Sequence, residues 1–349
     1  MDDALLENAL NLAQEHMARI PLILLGSGAS IDFGIPGVKV LAQYLQQDQR
    51  FGGLSSPDND NWGRVIGALT DDHLGIEAAL DRVGSLSPAL RTMIASSIWD
   101  CLAPADVAAF TKISGALDPL PLTHLYTFLL RSTVPYVVVV TTNYDRIAEY
   151  AAEVLAIPYF TGFSHGHLKK WNSRWRSTSK HIRIYKVHGS LDWFENALSV
   201  AVGLPLRSDI PAQHVPLIVP PSNNKYEQTY HNPFHTILYQ AEDEIRKASA
   251  FFCIGYGFND SHVQDVILNR CTEANIPIMI VSLDGSNARK IFIDRGVRRW
   301  TIFEAEFEAE APSHTRVRTE SDPTGWIIQN QALWKLPNLM PYIIGGGPQ

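Results

Sequence analysis

The sequence predicts an α/β fold organised around a mainly parallel sheet, and three observations lead there. Strand candidates fall at Pro21–Leu25, Tyr136–Val140, Ile182–Val187, Val215–Val219, Ala250–Ile254 and Ile278–Leu283, and the first of them is a short, continuous apolar run. Strands covered on both faces have this uninterrupted character. Segments with helical spacing follow several of them, at Tyr144–Leu155, Phe234–Lys247, Val263–Glu273 and Asn287–Asp294, which is the alternation of a parallel sheet with crossover helices. Four polar or glycine-rich clusters follow strands directly: Gly26-Ser-Gly-Ala-Ser30, Thr141-Thr-Asn-Tyr-Asp145, His188-Gly-Ser190 and Gly255-Tyr-Gly-Phe-Asn-Asp260. Ligands of open α/β sheets bind outside the carboxyl ends of the strands, so these clusters predict a nucleotide-sized site at one sheet edge.

The remaining elements follow in chain order. Residues 4–19 place Leu5, Leu6, Ala9, Leu10, Leu12 and Ala13 on a helical period. A helix restarts near Val38. From 41 to 122 the pattern is helical, with Ile76–Val83, Leu90–Leu102 and Ala105–Leu117 separated by Pro88, Pro104 and Pro119 as breaks. The expected organisation is a Rossmann-like domain from residues 1–40 and 123–305, with a large helical insertion at 41–122 after the first βα turn. A C-terminal tail covers 306–349. Around that last boundary lie a strand-like Trp300–Phe303 and an acidic run, Glu304–Glu310. Trp326, Trp334 and Pro337 follow, then Gly345–Gly347.

Composition narrows the function classes. The chain has 349 residues, 46% hydrophobic and 19% charged, which is a globular composition and not a disordered one. With 29 basic against 36 acidic residues the net charge is −7. A phosphate-gripping nucleic-acid binder carries a basic surplus, so none is expected here. The local basic stretch Lys169-Lys170, Arg174 and Arg176 reads as a solvated loop. The acidic start Met1-Asp2-Asp3 lacks the basic opening of a signal peptide, and the apolar runs fall short of a membrane span. The expectation is a cytoplasmic protein with no membrane contact. Cys101, Cys253 and Cys271 are widely spaced, with no C-x-x-C pair, so no zinc site is expected. His165, His167, His231, His235 and His262 show no metal-like spacing.

The first cluster is not an ordinary dinucleotide fingerprint. Ile31 stands where the third glycine of G-x-G-x-x-G belongs, and no G-x-x-x-x-G-K-[ST] occurs. The ordered set Gly26-Ser-Gly-Ala-Ser30 with Gly34-Ile-Pro-Gly37, Thr141-Thr-Asn-Tyr-Asp145, Lys186-Val-His-Gly-Ser190 and Gly255-Tyr-Gly-Phe-Asn-Asp260 resembles the sirtuin family, over roughly residues 18–305. It looks most like the sirtuin-like effectors of bacterial antiphage defence. Gly37 replaces the aspartate of the sirtuin proline motif, and Thr142 and Tyr144 replace its Gln and Ile. No cysteine lies between His188 and Val215, where deacylases carry a four-cysteine zinc module.

The resemblance implies NAD+ as substrate, cleaved to nicotinamide and ADP-ribose, with no metal. The N-glycosidic bond breaks through an oxocarbenium-like sugar, so the site must hold the nicotinamide, steady the sugar and aim a water. Asn143 is the candidate for placing the ribose or the water, Asp145 for the carboxamide, and His188 for the general base. Gly26, Ser27, Gly28 and Ala29 would let backbone N–H groups reach the pyrophosphate at a helix start, with Ser30 adding a hydroxyl. Thr142, Gly255, Gly257, Asp260 and Asp284 are further nucleotide-side candidates, the last two for ribose hydroxyls. Alternatives are NAD+-dependent deacylation or ADP-ribosylation, or a non-catalytic NAD+ or ADP-ribose sensor. A free NAD+ hydrolase would poison its own cell. The resemblance therefore implies gating by homo-oligomerisation or by a HerA-type ATPase partner, through the insertion or the tail around Trp326 and Trp334.

Overall fold

The computed structural model describes residues 2–70, 74–84, 86–115, 120–173, 177–221, 232–307 and 313–344. Pro119, Arg174, Arg176, His231 and Gly345–Gly347 lie outside the described residues, as does the side chain of His262. The strands in chain order are β1 (Leu22–Leu25), β2 (Tyr136–Thr141), β3 (Tyr159–Phe160), β4 (Lys169–Lys170), β5 (His181–Lys186), β6 (Gly189–Asn196), β7 (Ala201–Gly203), β8 (His214–Ile218), β9 (Phe251–Ile254), β10 (Ile278–Ser282), β11 (Trp300–Glu306), β12 (His314–Thr319) and β13 (Trp326–Ile328). The helices are α1 (Asp2–Met17), α2 (Val38–Gln47), α3 (Asp58–Thr70), α4 (Ile76–Asp81), α5 (Pro88–Gly115), α6 (Pro121–Leu130), α7 (Ile147–Val154), α8 (Phe234–Lys247), α9 (Ser261–Glu273), α10 (Ser286–Asp294) and α11 (Leu336–Ile343).

Nine strands form one sheet in the order β13-β12-β11-β10-β9-β1-β2-β5-β3. The seven strands from β11 to β3 are parallel, and β12 and β13 join the far edge antiparallel. This is the expected α/β architecture. Alternation along β1 shows why its run is apolar throughout. Leu22 and Leu24 enter one core with Ile237 of α8, Ile267 of α9 and Phe292 of α10. Ile23 and Leu25 enter the opposite core with Ala9 of α1, Ile98 of α5 and Leu125 of α6. Successive side chains of a strand point to opposite faces, so only a strand covered on both sides tolerates four apolar residues in a row. Pairing β1 with β2 on one side and β9 on the other makes the gap between β1 and β9 the switch point of the sheet.

Helices α2 to α6 occupy the chain between β1 and β2, as expected for an insertion. The proline break at Pro104 does not occur. α5 runs 28 residues through it. Pro104 itself is exposed, while Leu102 and Ala103 before it and Asp106 and Ala109 after it are buried. Packing on both sides of the proline outweighs a cost of about 3 kcal/mol for proline in a helix interior. By length and composition alone α5 could cross a membrane, but half of its most apolar window is buried in this core.

The strand expected at Val215–Val219 forms as β8 but outside the parallel sheet. It pairs antiparallel with β6, which also pairs with β7, in a separate sheet ordered β4-β7-β6-β8. The chain therefore does not pass from His188 through a long loop; β6 begins one residue later. Gly189 makes the turn at φ +93°, and a Cβ there would lie 2.0 Å from the Leu217 carbonyl oxygen. At the other end, β13 and α11 pack on α1. Trp326 donates its indole N–H to the Leu5 carbonyl at 3.3 Å, and Ile328, Leu339 and Ile343 are buried in the main core.

Candidate functional site

The carboxyl ends of β1, β2 and β9, the turn after β5 and helix α4 enclose a cavity of about 530 Å³. Of the residues singled out from sequence, Gly26, Ser27, Thr142, Asn143, Asp145, His188, Gly257 and Asp260 line it. Gly28, Ala29, Ser30, Gly255 and Asp284 do not. Asp284 is exposed, and its Oδ1 accepts the Ser286 N–H at 2.8 Å at the start of α10. That is the local bond of an Asx turn.

The glycine loop after β1 differs from the expected phosphate cradle. It runs into two 3-10 turns, at Ser27–Ala29 and Ile31–Phe33, and α2 starts only at Val38. The N–H groups of Gly26 and Gly28 bond to the Ile254 and Gly255 carbonyls, and those of Ala29 and Ser30 to carbonyls of the same loop. These four donors are thus committed within the protein. The glycines serve close packing at the switch point instead. A Cβ on Gly26 would lie 2.4 Å from the Gly255 oxygen, and one on Gly28 would lie 2.8 Å from the Gly255 Cα.

Asn143 is held by three bonds. Its main-chain N–H bonds to Thr141 Oγ1 at 3.0 Å, and its Nδ2 donates to the Gly26 carbonyl at 2.9 Å and to Ser30 Oγ at 3.2 Å. A carbonyl oxygen can only accept, so Nδ2 must face it and Oδ1 is left as the acceptor. Buried Ser30 therefore supports Asn143 from behind.

Asp145 accepts the Ile147 N–H at 3.1 Å at the entry to α7. Burial raises its carboxyl pKa, offset by the charge of Lys186 and by hydrogen bonds from Ile147 and Ser30. Tyr144 between them also lines the cavity, its hydroxyl bonding to the Val219 carbonyl at 2.7 Å.

His188 and Asp260, 72 residues apart in sequence, meet in the cavity wall. His188 Nε2 lies 2.7 Å from Asp260 Oδ2, and both residues are buried. Asp260 was expected to meet a ribose hydroxyl. It is turned to the imidazole instead, while its Oδ1 faces the Val263 N–H at 3.4 Å in the first turn of α9. Glu77 and Asp81, one turn apart on α4, bring two more carboxylates to the lining. The wall thus carries Glu77, Asp81, Asp145 and Asp260. Among the described lining residues there is no Lys or Arg.

Beneath the site lies a buried charged layer that the sequence reading missed. Lys186, fully buried at the end of β5, donates to the Asp145 carbonyl and sits 3.1 Å from Glu149 Oε1. Burial pushes the Glu149 carboxyl up to about 7 against the pull of Lys186. Asp106 of α5 accepts the Arg146 main-chain N–H and Nε–H, each at 2.9 Å, and the Tyr150 hydroxyl at 2.7 Å; Arg146 Nη2 also bonds to it. Together these anchors fix the segment that carries Asn143 and Asp145. One signal was available: a lysine at the end of an apolar strand must find a partner if it is buried. Among the described residues no group of three or more His, Cys, Asp or Glu is placed to hold a metal ion.

Comparison with known proteins places this geometry in context. Residues 137–276 match the family model of the SIR2-like domain. That segment supplies Thr142, Asn143, Asp145, His188, Gly257 and Asp260 to the cavity wall. Among solved structures, one described for the mechanism and regulation of Sir2 enzymes is similar at a TM-score of 0.45 and 13% identity, over 97% of this chain and 98% of that one. A Sir2 homologue–NAD complex is similar at 0.45 and 13% identity, over 85% and 87%. No curated protein matches the sequence.

Proposed function

We propose that the cavity binds NAD+ and hydrolyses its nicotinamide–ribose bond, releasing nicotinamide and ADP-ribose. The observation that carries this reading is the meeting of Asn143 and a carboxylate-backed His188 in one acidic cavity. The reaction develops positive charge on the sugar as neutral nicotinamide leaves. Preorganised carboxylates aimed at developing charge are a main source of rate acceleration. Asp145, Glu77 and Asp81 stand in the same wall. Asn143 Oδ1 serves as acceptor for a ribose hydroxyl or for the attacking water, its amide plane fixed by Gly26 and Ser30. His188 accepts the water's proton. The product chemistry balances as NAD+ plus water giving nicotinamide, ADP-ribose and one proton.

The likeness of the motif set to antiphage effectors extends the proposal to NAD+ depletion during infection. Gating by self-association or by a HerA-type ATPase is part of the same proposal, and light scattering of the chain with and without its partner tests it. The direct test is incubation of the purified chain with NAD+, with nicotinamide and ADP-ribose quantified. Asn143→Ala or His188→Ala should each lower turnover by roughly a hundredfold or more while the fold persists. Near-normal turnover in both variants would sink the proposal.

A further inference from the structure

We infer that Asp260 is a positioning residue for His188 rather than a ribose ligand, and that it selects Nδ1 of the imidazole as the proton-accepting nitrogen. The inference rests on the hydrolase reading above for its functional half, and on geometry alone for its structural half. Asp260 Oδ2 lies 2.7 Å from His188 Nε2. An ionised carboxylate only accepts hydrogen bonds, so a neutral imidazole at this distance must present Nε2–H to it. The lone pair then resides on Nδ1. Both partners are largely buried, which strengthens the bond between them and with it the choice of tautomer.

The carboxylate is itself held. Its Oδ1 faces the Val263 N–H at 3.4 Å, and its own carbonyl accepts the Gln264 N–H at 3.0 Å, so Asp260 forms the cap of α9. The helix start fixes the carboxylate, and the carboxylate fixes the ring. Each oxygen thus faces one protein donor, which holds the carboxylate plane beside the imidazole.

In the reaction, a water adds to the anomeric carbon while the carbon–nitrogen bond breaks and its electron pair passes to the nicotinamide nitrogen. The water's proton moves to Nδ1. The imidazolium that results keeps Nε2–H on Asp260, whose negative charge stabilises it. An asparagine at 260 offers one acceptor where the aspartate offers two. It can serve the helix N–H and turn its NH2 to the ring, but it then demands the lone pair on Nε2. That places the proton on Nδ1 and removes the base.

The test is nitrogen NMR of protein labelled with 15N-histidine, with the His188 signals assigned by their loss in His188→Gln. The wild type should show a protonated Nε2 and an unprotonated Nδ1. Asp260→Asn should move the proton to Nδ1 and lower kcat for NAD+ cleavage by roughly a hundredfold or more, with KM little changed. A wild-type ring protonated on Nδ1 would overturn the inference without any variant. So would an Asp260→Asn protein that keeps both the wild-type tautomer and its kcat. If the wild type cleaves no NAD+, the hydrolase reading fails, and the nitrogen spectrum still decides the role of Asp260.

Discussion

Asp106→Ala is the substitution whose cost follows most directly from the structure. Asp106 is fully buried on α5 and accepts four hydrogen bonds, three from Arg146 and one from Tyr150. The Arg146 side chain is only 7% exposed. Alanine leaves that guanidinium in the interior without its counter-charge. Breaking a buried pair from one side costs about 3–5 kcal/mol. At about 2 °C per kcal/mol for a chain of this size, the melting temperature should fall by roughly 6–10 °C. Arg146 directly follows Asp145, so the segment bearing Asn143 also loses an anchor. Because a displacement of 1 Å costs up to about 10²-fold in rate, NAD+ cleavage should fall with stability. Calorimetry and urea titration read the first effect. A double variant with Arg146→Leu should recover a large part of the stability, since it removes the orphaned charge. A loss below about 1 kcal/mol in Asp106→Ala, or a double variant no better than the single, would refute the argument.

Further outcomes follow from the same contacts. Gly26→Ala puts a methyl 2.4 Å from the Gly255 oxygen and 2.6 Å from the Tyr256 Cα, against backbone that cannot rotate away. A loss of about 1–3 kcal/mol by urea titration is expected, and an unchanged midpoint would contradict the packing described at the switch point. Burial raises the Glu149 carboxyl from 4.5 to about 7, so the native state keeps a proton that the unfolded chain has released. Its stabilising contribution is therefore full below about 4.5 and declines as pH rises to about 7. The stability difference between wild type and Glu149→Gln should fall across that window and flatten above it; titrating groups remote from Glu149, His16 among them, cancel in the difference. A flat difference throughout would show that Glu149 is ionised in the folded protein. Treatment with EDTA should leave NAD+ cleavage unchanged, and activity restored only by added metal would contradict the side-chain chemistry proposed.

What could be read from the chain divides by range. β1, β2, β9 and β10 were legible because burial on both faces imprints an apolar run, and β5 through Ile182, Ile184 and Tyr185 between its charged residues. The second sheet was not. β6 and β4 carry Asp192 and Lys169, which pair with each other at 2.7 Å, so their strands read as polar although Asp192 is buried. The parallel-sheet membership assigned to Val215–Val219 failed because its partner is β6, whose Leu191, Trp193 and Phe194 stand among Ser190, Asp192 and Glu195 and form no continuous apolar run. Pro104 was read as a break because local propensity weighs the missing N–H but not the packing on either side. Within the site, Asn143 and His188 were visible through their place after strands. The pairing of His188 with Asp260, of Lys186 with Glu149 and of Asp106 with Arg146 joins residues on separate elements, and no short pattern carries such information. In the glycine loop the structure shows a packing role that no short pattern carries: Gly26 and Gly28 admit the backbone of Gly255, and their N–H groups are bonded within the protein.

The placement of β1 has a consequence for synthesis on the ribosome. Its two neighbours pair Leu25 with Thr141 and with Ile254, so neither is made until long after β1 itself. At roughly 5–20 residues per second, the second neighbour follows by about 10–50 s. For that interval a four-residue apolar strand has an open edge, which is a template for wrong pairing with other nascent chains. The helices encoded between β1 and β2 are made first, and their local contacts form quickly. They give the waiting strand an apolar surface to rest on, and Ile23 and Leu25 share their core in the finished protein. The insertion thereby shields the centre of the sheet before the sheet exists, and deleting it should send the nascent chain to aggregates rather than to a smaller native domain.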